Sequence, residues 1–186
     1  PFHSGNFLGA IDSVLANNYN SKIASFAEAK LNDGQRLLAF NDLFIGATSH
    51  VSARYQITYN NKTEEQSSSG IIVSTQAGST GWLSSVFNMS FGIQKFMEKD
   101  KSKKKYAKLK DNQLMFAVRE PFASKKTKVE TAAGLITGQS KLVIQSFMPT
   151  NGLIFSDGIE SDFLKFNSGA IATIGIAEEK ANLVLA

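Results

Sequence analysis

Short runs of β-branched and aromatic residues, separated by turns rich in glycine and asparagine, limit most strongly how this chain can fold. Ala53–Tyr59 alternates between apolar and polar side chains, which is typical of a half-buried strand. Strands at such short and regular spacing predict a mainly β domain with antiparallel strands, either a sandwich or an open barrel. The further predicted strands are Lys22–Leu31, Arg36–Phe40, Gly70–Thr75, Gln113–Val118, Lys128–Thr137, Lys141–Phe147, Leu153–Ser156, Ala170–Ala177 and Asn182–Leu185.

Two segments depart from this pattern and show helical spacing of their apolar residues. One helix is predicted over Asn6–Ala16, and a second is predicted from Trp82 to Phe96. Strands and helices do not alternate along the chain, which argues against a doubly wound nucleotide-binding sheet. Because neither an internal repeat nor a clear linker is visible, we expect residues 1–186 to form a single β-rich domain with a few helices.

Composition excludes several classes of protein and site. An apolar fraction of 42%, with 14 phenylalanines, is enough to fill a core and excludes a disordered chain. The absence of cysteine excludes disulfides, zinc–thiolate sites, iron–sulfur clusters and thiol nucleophiles, and only two histidines are present, so we predict no metal site. The longest uncharged stretch, Gln66–Gln94, is broken up by Ser, Thr and Gly. We therefore expect a cytoplasmic protein without a membrane span.

The net charge of +4 comes from one stretch, Lys95–Lys110, in which eight lysines stand against Glu98 and Asp100. A nucleic-acid-binding protein usually spreads basic residues along a face and interleaves aromatic ones, whereas Tyr106 is the only aromatic residue in the lysine-dense part. The pattern favours a solvated loop or helix end, and we predict no nucleic-acid partner. A surface that attracts polyanions such as nucleotides is the alternative.

The segment Ser69–Trp82 (SGIIVSTQAGSTGW) carries the most information about chemistry. Glycines after a buried strand and before a helix allow backbone N–H groups to face a ligand, and the helix N-terminus favours negative charge. Ser79 and Thr80 add hydroxyls that could cap the helix or bind a nucleotide. The segment lacks the Walker and G-x-G-x-x-G patterns, so an ordinary helix cap remains an alternative.

The dipeptide Asn41–Asp42 lies between two apolar strands. An amide beside a carboxylate can bind a vicinal diol, because the carboxylate accepts from both hydroxyls while the amide donates and accepts. An Asx turn between the strands is the alternative, and spacing alone favours it.

Other polar residues have a chemical and a structural interpretation. Asp157, Glu160 and Asp162 could form a cation site, a general-base cluster or an exposed acidic turn. Arg119 could bind a phosphate or pair with a carboxylate. His50 is expected to be an ordinary loop residue, because no G-x-S-x-G nucleophile motif accompanies it.

Four motifs resemble the NAD kinase family. Residues 69–82 resemble its signature of a hydrophobic strand followed by S-T-x-x-G-S-T and an aromatic residue. Ala39–Asp42 (AFND) resembles the family's A-L-N-E segment, and Ser156–Gly158 resembles its later D-G turn. Arg119–Pro121 stands where the family often has an Arg–Pro strand end. The resemblance covers essentially the whole chain but only the C-terminal β-rich half of such a kinase.

The resemblance implies roles for particular residues. Asn41 and Asp42 would hold the ribose hydroxyls of NAD, and Trp82 stands at the family's usual Tyr. Ser69 replaces the family's Asp, and Asp157 would approach the site on a turn, either from the same subunit or from a neighbouring one. The implied substrate-binding residues are Asn41, Asp42, Ser69, Thr75, Ala77, Ser79, Thr80, Gly81, Trp82 and Asp157.

The resemblance also implies an activity for the intact protein. The family transfers the γ-phosphate of ATP, with Mg²⁺, to the 2′-hydroxyl of NAD, and it forms dimers or tetramers. Its G-G-D-G loop, which carries the expected base, does not occur in this chain. We therefore expect no catalytic residue in these 186 residues and no activity from them alone. A related kinase with a sugar or lipid acceptor, a nucleotide-binding domain without activity, and a polyanion-binding module are the alternatives.

Overall fold

A computed structural model describes residues 5–98, 106 and 108–185 of the chain. Its two helices are α1 (Phe7–Leu15) and α2 (Trp82–Glu98), and a 3₁₀ turn at Gly78–Thr80 precedes the second. The strands are β1 (Asn20–Leu31), β2 (Arg36–Ala39), β3 (Asp42–Ala47), β4 (Ala53–Tyr59), β5 (Lys62–Ser68), β6 (Ile71–Ser74), β7 (Leu114–Val118), β8 (Ala133–Ile136), β9 (Leu142–Ser146), β10 (Gly152–Ser156), β11 (Ile159–Lys165) and β12 (Ile171–Leu185).

The strands form two six-stranded sheets in which every neighbouring pair is antiparallel. The first sheet has the order β2-β1-β12-β9-β4-β5 and the second has the order β11-β10-β3-β6-β7-β8. Alternate side chains of both sheets meet in one core, in which Tyr55 and Ile144 of the first sheet join Ile45, Ile71 and Phe116 of the second. The predicted antiparallel β-sandwich class is confirmed.

The second sheet also carries apolar side chains on its outer face. Phe44, Ile72 and Phe155 are neighbours across β3, β6 and β10 on that face. The α2 helix covers part of it, and its Leu83 is buried against Ala117 of β7. Both faces of β6 are therefore covered, and all four of its residues are buried. This is why the predicted strand Gly70–Thr75 is apolar without alternation.

Two strands, β5 and β11, were not predicted. β5 contains only polar residues, yet Glu64 and Gln66 are buried in hydrogen bonds with the Thr131 backbone, and the Tyr55 hydroxyl donates to Gln66 at 3.0 Å. Both strands lie at the edge of a sheet, where each pairs with a hairpin partner. Hydrophobic alternation does not mark β5, because strand pairing and buried polar contacts rather than burial of apolar side chains hold it.

Two further differences concern the bounds of predicted strands. The strand predicted over Lys128–Thr137 is confined to β8, because residues 128–132 form a loop bonded to β5. The segments Ala170–Ala177 and Asn182–Leu185 join into the single strand β12, which pairs with β1 along both parts. Both predicted helices are present, and half of the Lys95–Lys110 stretch, residues 99–105 and 107, lies outside the described residues. Within the described ranges, neither helix has the length and apolar character needed to cross a bilayer.

Candidate functional site

A cleft of about 390 Å³ opens beside the outer face of the second sheet, where β3 begins and β6 ends. Three segments build its walls: the β2–β3 junction, the turn that leads into α2, and the β10–β11 hairpin. The lining residues are Asn41, Asp42, Ala77, Gly78, Thr80, Gly81, Trp82, Asp157 and Gly158.

The β2–β3 junction is held on one side by the β10–β11 hairpin. One carboxylate oxygen of Asp157 accepts from the backbone N–H of Phe40 at 2.9 Å. The other accepts from the N–H groups of Asn41 and Asp42 at 2.6 and 3.1 Å. The Asp157 N–H in turn donates to the Asp42 carbonyl at 2.9 Å. Four hydrogen bonds therefore join the hairpin turn to the dipeptide.

The segment after β6 holds the junction on the other side. The Thr75 hydroxyl donates to the Phe40 carbonyl at 2.5 Å, and the Thr75 N–H donates to the Asn41 carbonyl at 2.9 Å. Gly78 lies so close to this backbone that a Cβ atom would stand 2.3 Å from the Asn41 carbonyl oxygen. Only glycine allows this approach, so the glycine of the S-T-x-x-G-S-T segment brings the two walls of the cleft together.

The dipeptide backbone is thus saturated, whereas its side chains retain hydrogen-bonding capacity. Within the described part of the chain, the Asn41 amide makes no hydrogen bond, so the Asx turn considered above does not form. Asp42 Oδ1 is buried and has no partner among the described residues. Unsatisfied buried oxygens are rare in proteins, so this oxygen, on a residue that lines the cleft, is a candidate acceptor for a ligand hydroxyl.

Burial raises the pKa of the Asp42 carboxyl from 3.8 to about 6. The neighbouring Ser74 hydroxyl opposes the rise in this pKa, and the negative charge of Asp157 adds to it. The carboxyl group is therefore ionised at neutral pH but takes up a proton under mildly acidic conditions. A ligand hydroxyl that donates to Asp42 would favour the ionised form.

An aromatic cluster supports the entrance to α2. The Trp82 indole stacks on Phe44 with ring centres 5.5 Å apart and planes 8° from parallel, and it also contacts Phe155. The Arg119 guanidinium lies 5.6 Å from the Trp82 ring centre and 3.7 Å from the Glu120 carboxylate. Arg119 thus pairs with a carboxylate, the structural alternative of the two considered, while it also stacks on an aromatic ring.

Seven of the ten residues predicted to bind substrate line the cleft: Asn41, Asp42, Ala77, Thr80, Gly81, Trp82 and Asp157. The other three lie elsewhere. Thr75 is buried beneath the cleft, and the Ser79 hydroxyl donates to the Gln76 carbonyl at 2.8 Å. Ser69 precedes β6, whereas the cleft lies beyond its C-terminal end. Sequence analysis did not single out Gly78 and Gly158, although both belong to the quoted motifs and an unexplained glycine is a signal for close backbone approach.

Among the remaining polar candidates, the side chain of Glu160 lies outside the described part of the structure, and the described ones form no second site. The Asp157 carboxylate binds the backbone, while Asp162 is exposed on β11. Over the described residues, no three or more His, Asp or Glu side chains come together in a way that could hold a metal ion. His50 lies exposed in the bend between β3 and β4.

Comparison with known proteins identifies the architecture. Neither a family model nor a curated protein sequence matches the chain. Among solved structures, it is similar to yeast NADH kinase complexed with NADH, with a TM-score of 0.70 and 14% sequence identity. The chain has an NAD kinase-like fold. The match covers all of this chain and 50% of the yeast chain, so the 186 residues span about half the length of that structure.

Proposed function

We propose that this chain is the NAD(H)-binding, phosphoryl-acceptor domain of an NAD kinase-like enzyme. Asn41 and Asp42 hold the two hydroxyls of the adenosine ribose, and Ala77–Trp82 form the adjoining wall of the dinucleotide pocket. The observation that carries the proposal is the convergence of this dipeptide and the α2 entrance on one cleft, where the Asn41 amide and Asp42 Oδ1 have no partner among the described residues.

The chemistry of a ribose matches these two side chains. A vicinal diol offers two O–H donors and two acceptors at fixed spacing, and a carboxylate beside an amide complements both. Hydrogen bonds between a hydroxyl and a carboxylate are charge-assisted, so they tolerate competition from water better than neutral ones. The fold shared with a kinase crystallised with NADH supports the choice of a dinucleotide as the diol.

In the intact protein, we propose that the γ-phosphate of ATP is transferred to the 2′-hydroxyl of NAD or NADH, with Mg²⁺ on the phosphates. Phosphoryl transfer needs a base, a metal ion and phosphate-binding groups together. The cleft offers groups for the acceptor, and the described residues include no cluster of three or more candidate metal ligands. We assign the base, ATP and Mg²⁺ to the part of the kinase fold that this chain does not span. A cytoplasmic homo-oligomer, a dimer or tetramer, remains part of the proposal.

Isothermal titration calorimetry with NAD and NADH tests the acceptor role. We expect the wild-type chain to bind at least one of them, and Asn41→Ala and Asp42→Asn each to weaken binding by about tenfold or more, since each removes hydrogen bonds to the diol. Asp162→Asn is the matched control, because this exposed carboxylate lies on β11 away from the cleft lining. Binding that is unchanged in both cleft variants would contradict the proposal.

A kinase assay with several acceptors distinguishes between the alternative substrates. The full-length protein, assayed with ATP, should phosphorylate NAD or NADH in preference to free sugars, diacylglycerol or sphingoid bases. Turnover of a sugar or lipid alone would retain the kinase class and replace the acceptor. Binding of NAD without turnover by the full-length protein would favour a domain that only binds nucleotides.

A further inference from the structure

The hairpin that joins β10 to β11 makes an unusual contact with the β2–β3 junction. We propose that Asp157 is a positioning residue, whose carboxylate holds the backbone of Phe40–Asp42 in the conformation that presents the Asn41 and Asp42 side chains to the ligand. This inference rests on the proposed function of those two side chains, and it assigns Asp157 a role different from direct contact with the substrate.

The hydrogen-bonding capacity of the carboxylate supports this role. An ionised carboxylate offers about four acceptor positions. Asp157 uses three of them on the consecutive N–H groups of Phe40, Asn41 and Asp42, at distances of 2.9, 2.6 and 3.1 Å. These N–H groups lie where β2 ends and β3 begins. β2 pairs with β1 in the first sheet and β3 pairs with β10 in the second, so the carboxylate fixes the segment in which the chain passes from one sheet to the other. Little capacity remains for a substrate hydroxyl.

The conformation of the hairpin aims the carboxylate at the junction. Asp157 and Gly158 have φ angles of 53° and 76°, and Ser156 pairs with Ile159, as in a two-residue type I′ turn. Aspartate is one of the few residues other than glycine that tolerates this left-handed conformation. β10 pairs directly with β3 from Gly152 to Ser156, so the turn and the dipeptide belong to one sheet.

Thr75, in the segment after β6, holds the β2–β3 junction from the other side. Thr75 binds the carbonyl groups of Phe40 and Asn41, while Asp157 binds their N–H groups. The polar backbone groups of the junction are therefore occupied from two sides, and the ligand meets only side chains there. Loss of Asp157 would release the N–H side and let the dipeptide sample other conformations.

Asp157→Gly is the decisive variant, because glycine keeps the left-handed turn without strain and removes only the side chain. Asn17→Gly is its matched control, since Asn17 also has a positive φ of 53° and lies at the end of α1, outside the cleft lining. Two quantities are measured on the complete chain: the affinity for NADH by calorimetry, and the hydrogen-exchange rates of the Phe40, Asn41 and Asp42 amides without ligand.

We expect Asp157→Gly to weaken NADH binding about tenfold or more and to accelerate exchange of the three amides by a similar factor, because three charge-assisted hydrogen bonds are lost. Asn17→Gly should change neither quantity. Asp157→Asn keeps one acceptor oxygen and should recover part of the affinity and part of the exchange protection. If the glycine variant does not fold, Asp157→Asn replaces it in both measurements.

The outcomes distinguish this inference from the function on which it rests. A wild-type chain that binds neither NAD nor NADH would overturn the proposed function. Unchanged exchange at Phe40–Asp42 in Asp157→Gly would overturn the positioning role, whatever the chain binds. Faster exchange with unchanged NADH affinity would also overturn it, because the dipeptide conformation would then not matter to the ligand.

Discussion

At the scale of single residues, the ionised Asp42 carboxylate lowers the stability of the free chain, and the same group is the proposed acceptor for a ligand hydroxyl. Its Oδ1 is buried without a partner among the described residues, and burial raises the pKa of the carboxyl group to about 6. A group whose pKa is higher in the folded than in the unfolded state binds its proton more tightly when folded. The ionised form therefore lowers the free energy of unfolding at neutral pH. A ligand hydroxyl would offset this cost by donating to the oxygen.

We predict that Asp42→Asn stabilises the free chain at pH 7.5 by about 1 kcal/mol, after allowance for solvent screening of this half-buried group. The stabilising contribution of the protonated carboxyl is fully present below the unfolded pKa of 3.8 and is lost as the pH rises through about 6. The advantage of the asparagine variant should therefore grow over that interval and stay constant above it. Chemical denaturation of both proteins across pH 4–8 measures this. An advantage independent of pH would contradict the assignment.

The affinity for the ligand should change with pH in the opposite direction to the stability of the free chain. Because the ionised carboxylate is the better acceptor, we predict that NADH affinity of the wild-type chain rises between about pH 5 and 7, with a midpoint near the Asp42 pKa of about 6. Calorimetric titrations at several pH values measure it, and Asp42→Asn should remove this pH dependence while it weakens binding. A wild-type affinity that is constant over the interval would exclude Asp42 as the titrating group.

At the scale of elements, the cleft depends on how closely the turn before α2 packs on the β2–β3 junction. Gly78 is the contact point, because its Cα faces the Asn41 backbone without room for a side chain. The Thr75 hydroxyl also accepts from the Gly78 N–H at 3.2 Å, so one side chain bonds both segments. The S-T-x-x-G-S-T segment thus serves first as a packing motif, and its exposed end at Thr80–Trp82 then faces the cleft.

We predict that Gly78→Ala destabilises the chain by about 1–3 kcal/mol and weakens NADH binding, because the added methyl group must push the Asn41 backbone away. Gly92→Ala is the matched control. A Cβ at Gly92 meets nothing within 4 Å, and alanine in a helix interior is more stable than glycine by up to about 1 kcal/mol. Thermal denaturation and calorimetry measure both effects. A Gly78→Ala chain with wild-type stability and affinity would refute this packing role.

At the scale of the whole molecule, the sandwich supplies a scaffold on which three distant segments meet. Residues 41–42, 77–82 and 157–158 come together because β3 pairs with β6 on one side and with β10 on the other. The cleft therefore lies where the ends of neighbouring strands meet. The similarity to yeast NADH kinase extends over half of that structure.

We predict that the 186-residue chain binds NADH but does not convert it to NADPH with ATP and Mg²⁺, since one half of a phosphoryl-transfer site orients the acceptor without activating it. A coupled enzymatic assay for NADPH, at protein concentrations far above those of an ordinary kinase assay, measures this. Formation of NADPH that is abolished by Asp42→Asn would show that the acceptor half carries a base of its own.

Much of this architecture could be predicted because it depends on local patterns. The alternation of Ala53–Tyr59, the β-branched run before Thr75 and the turn residues of the β10–β11 hairpin each determine their own conformation. Polar edge strands such as β5 could not be predicted in this way, since the partner strand and the buried network around Glu64 and Gln66 hold them.

The candidate residues likewise divide between what is local and what is not. The sequence by itself determined that an amide and a carboxylate, the groups that we propose to bind a diol, stand side by side at Asn41 and Asp42, and that a glycine-bearing turn leads into α2. Only the tertiary structure decided that these lie in one cleft, that Ser69 and Ser79 lie outside its lining, and that the carboxylate of Asp157 binds three backbone N–H groups from more than a hundred residues away. Side-chain chemistry is a property of each residue, whereas proximity depends on strand pairing across the whole sheet.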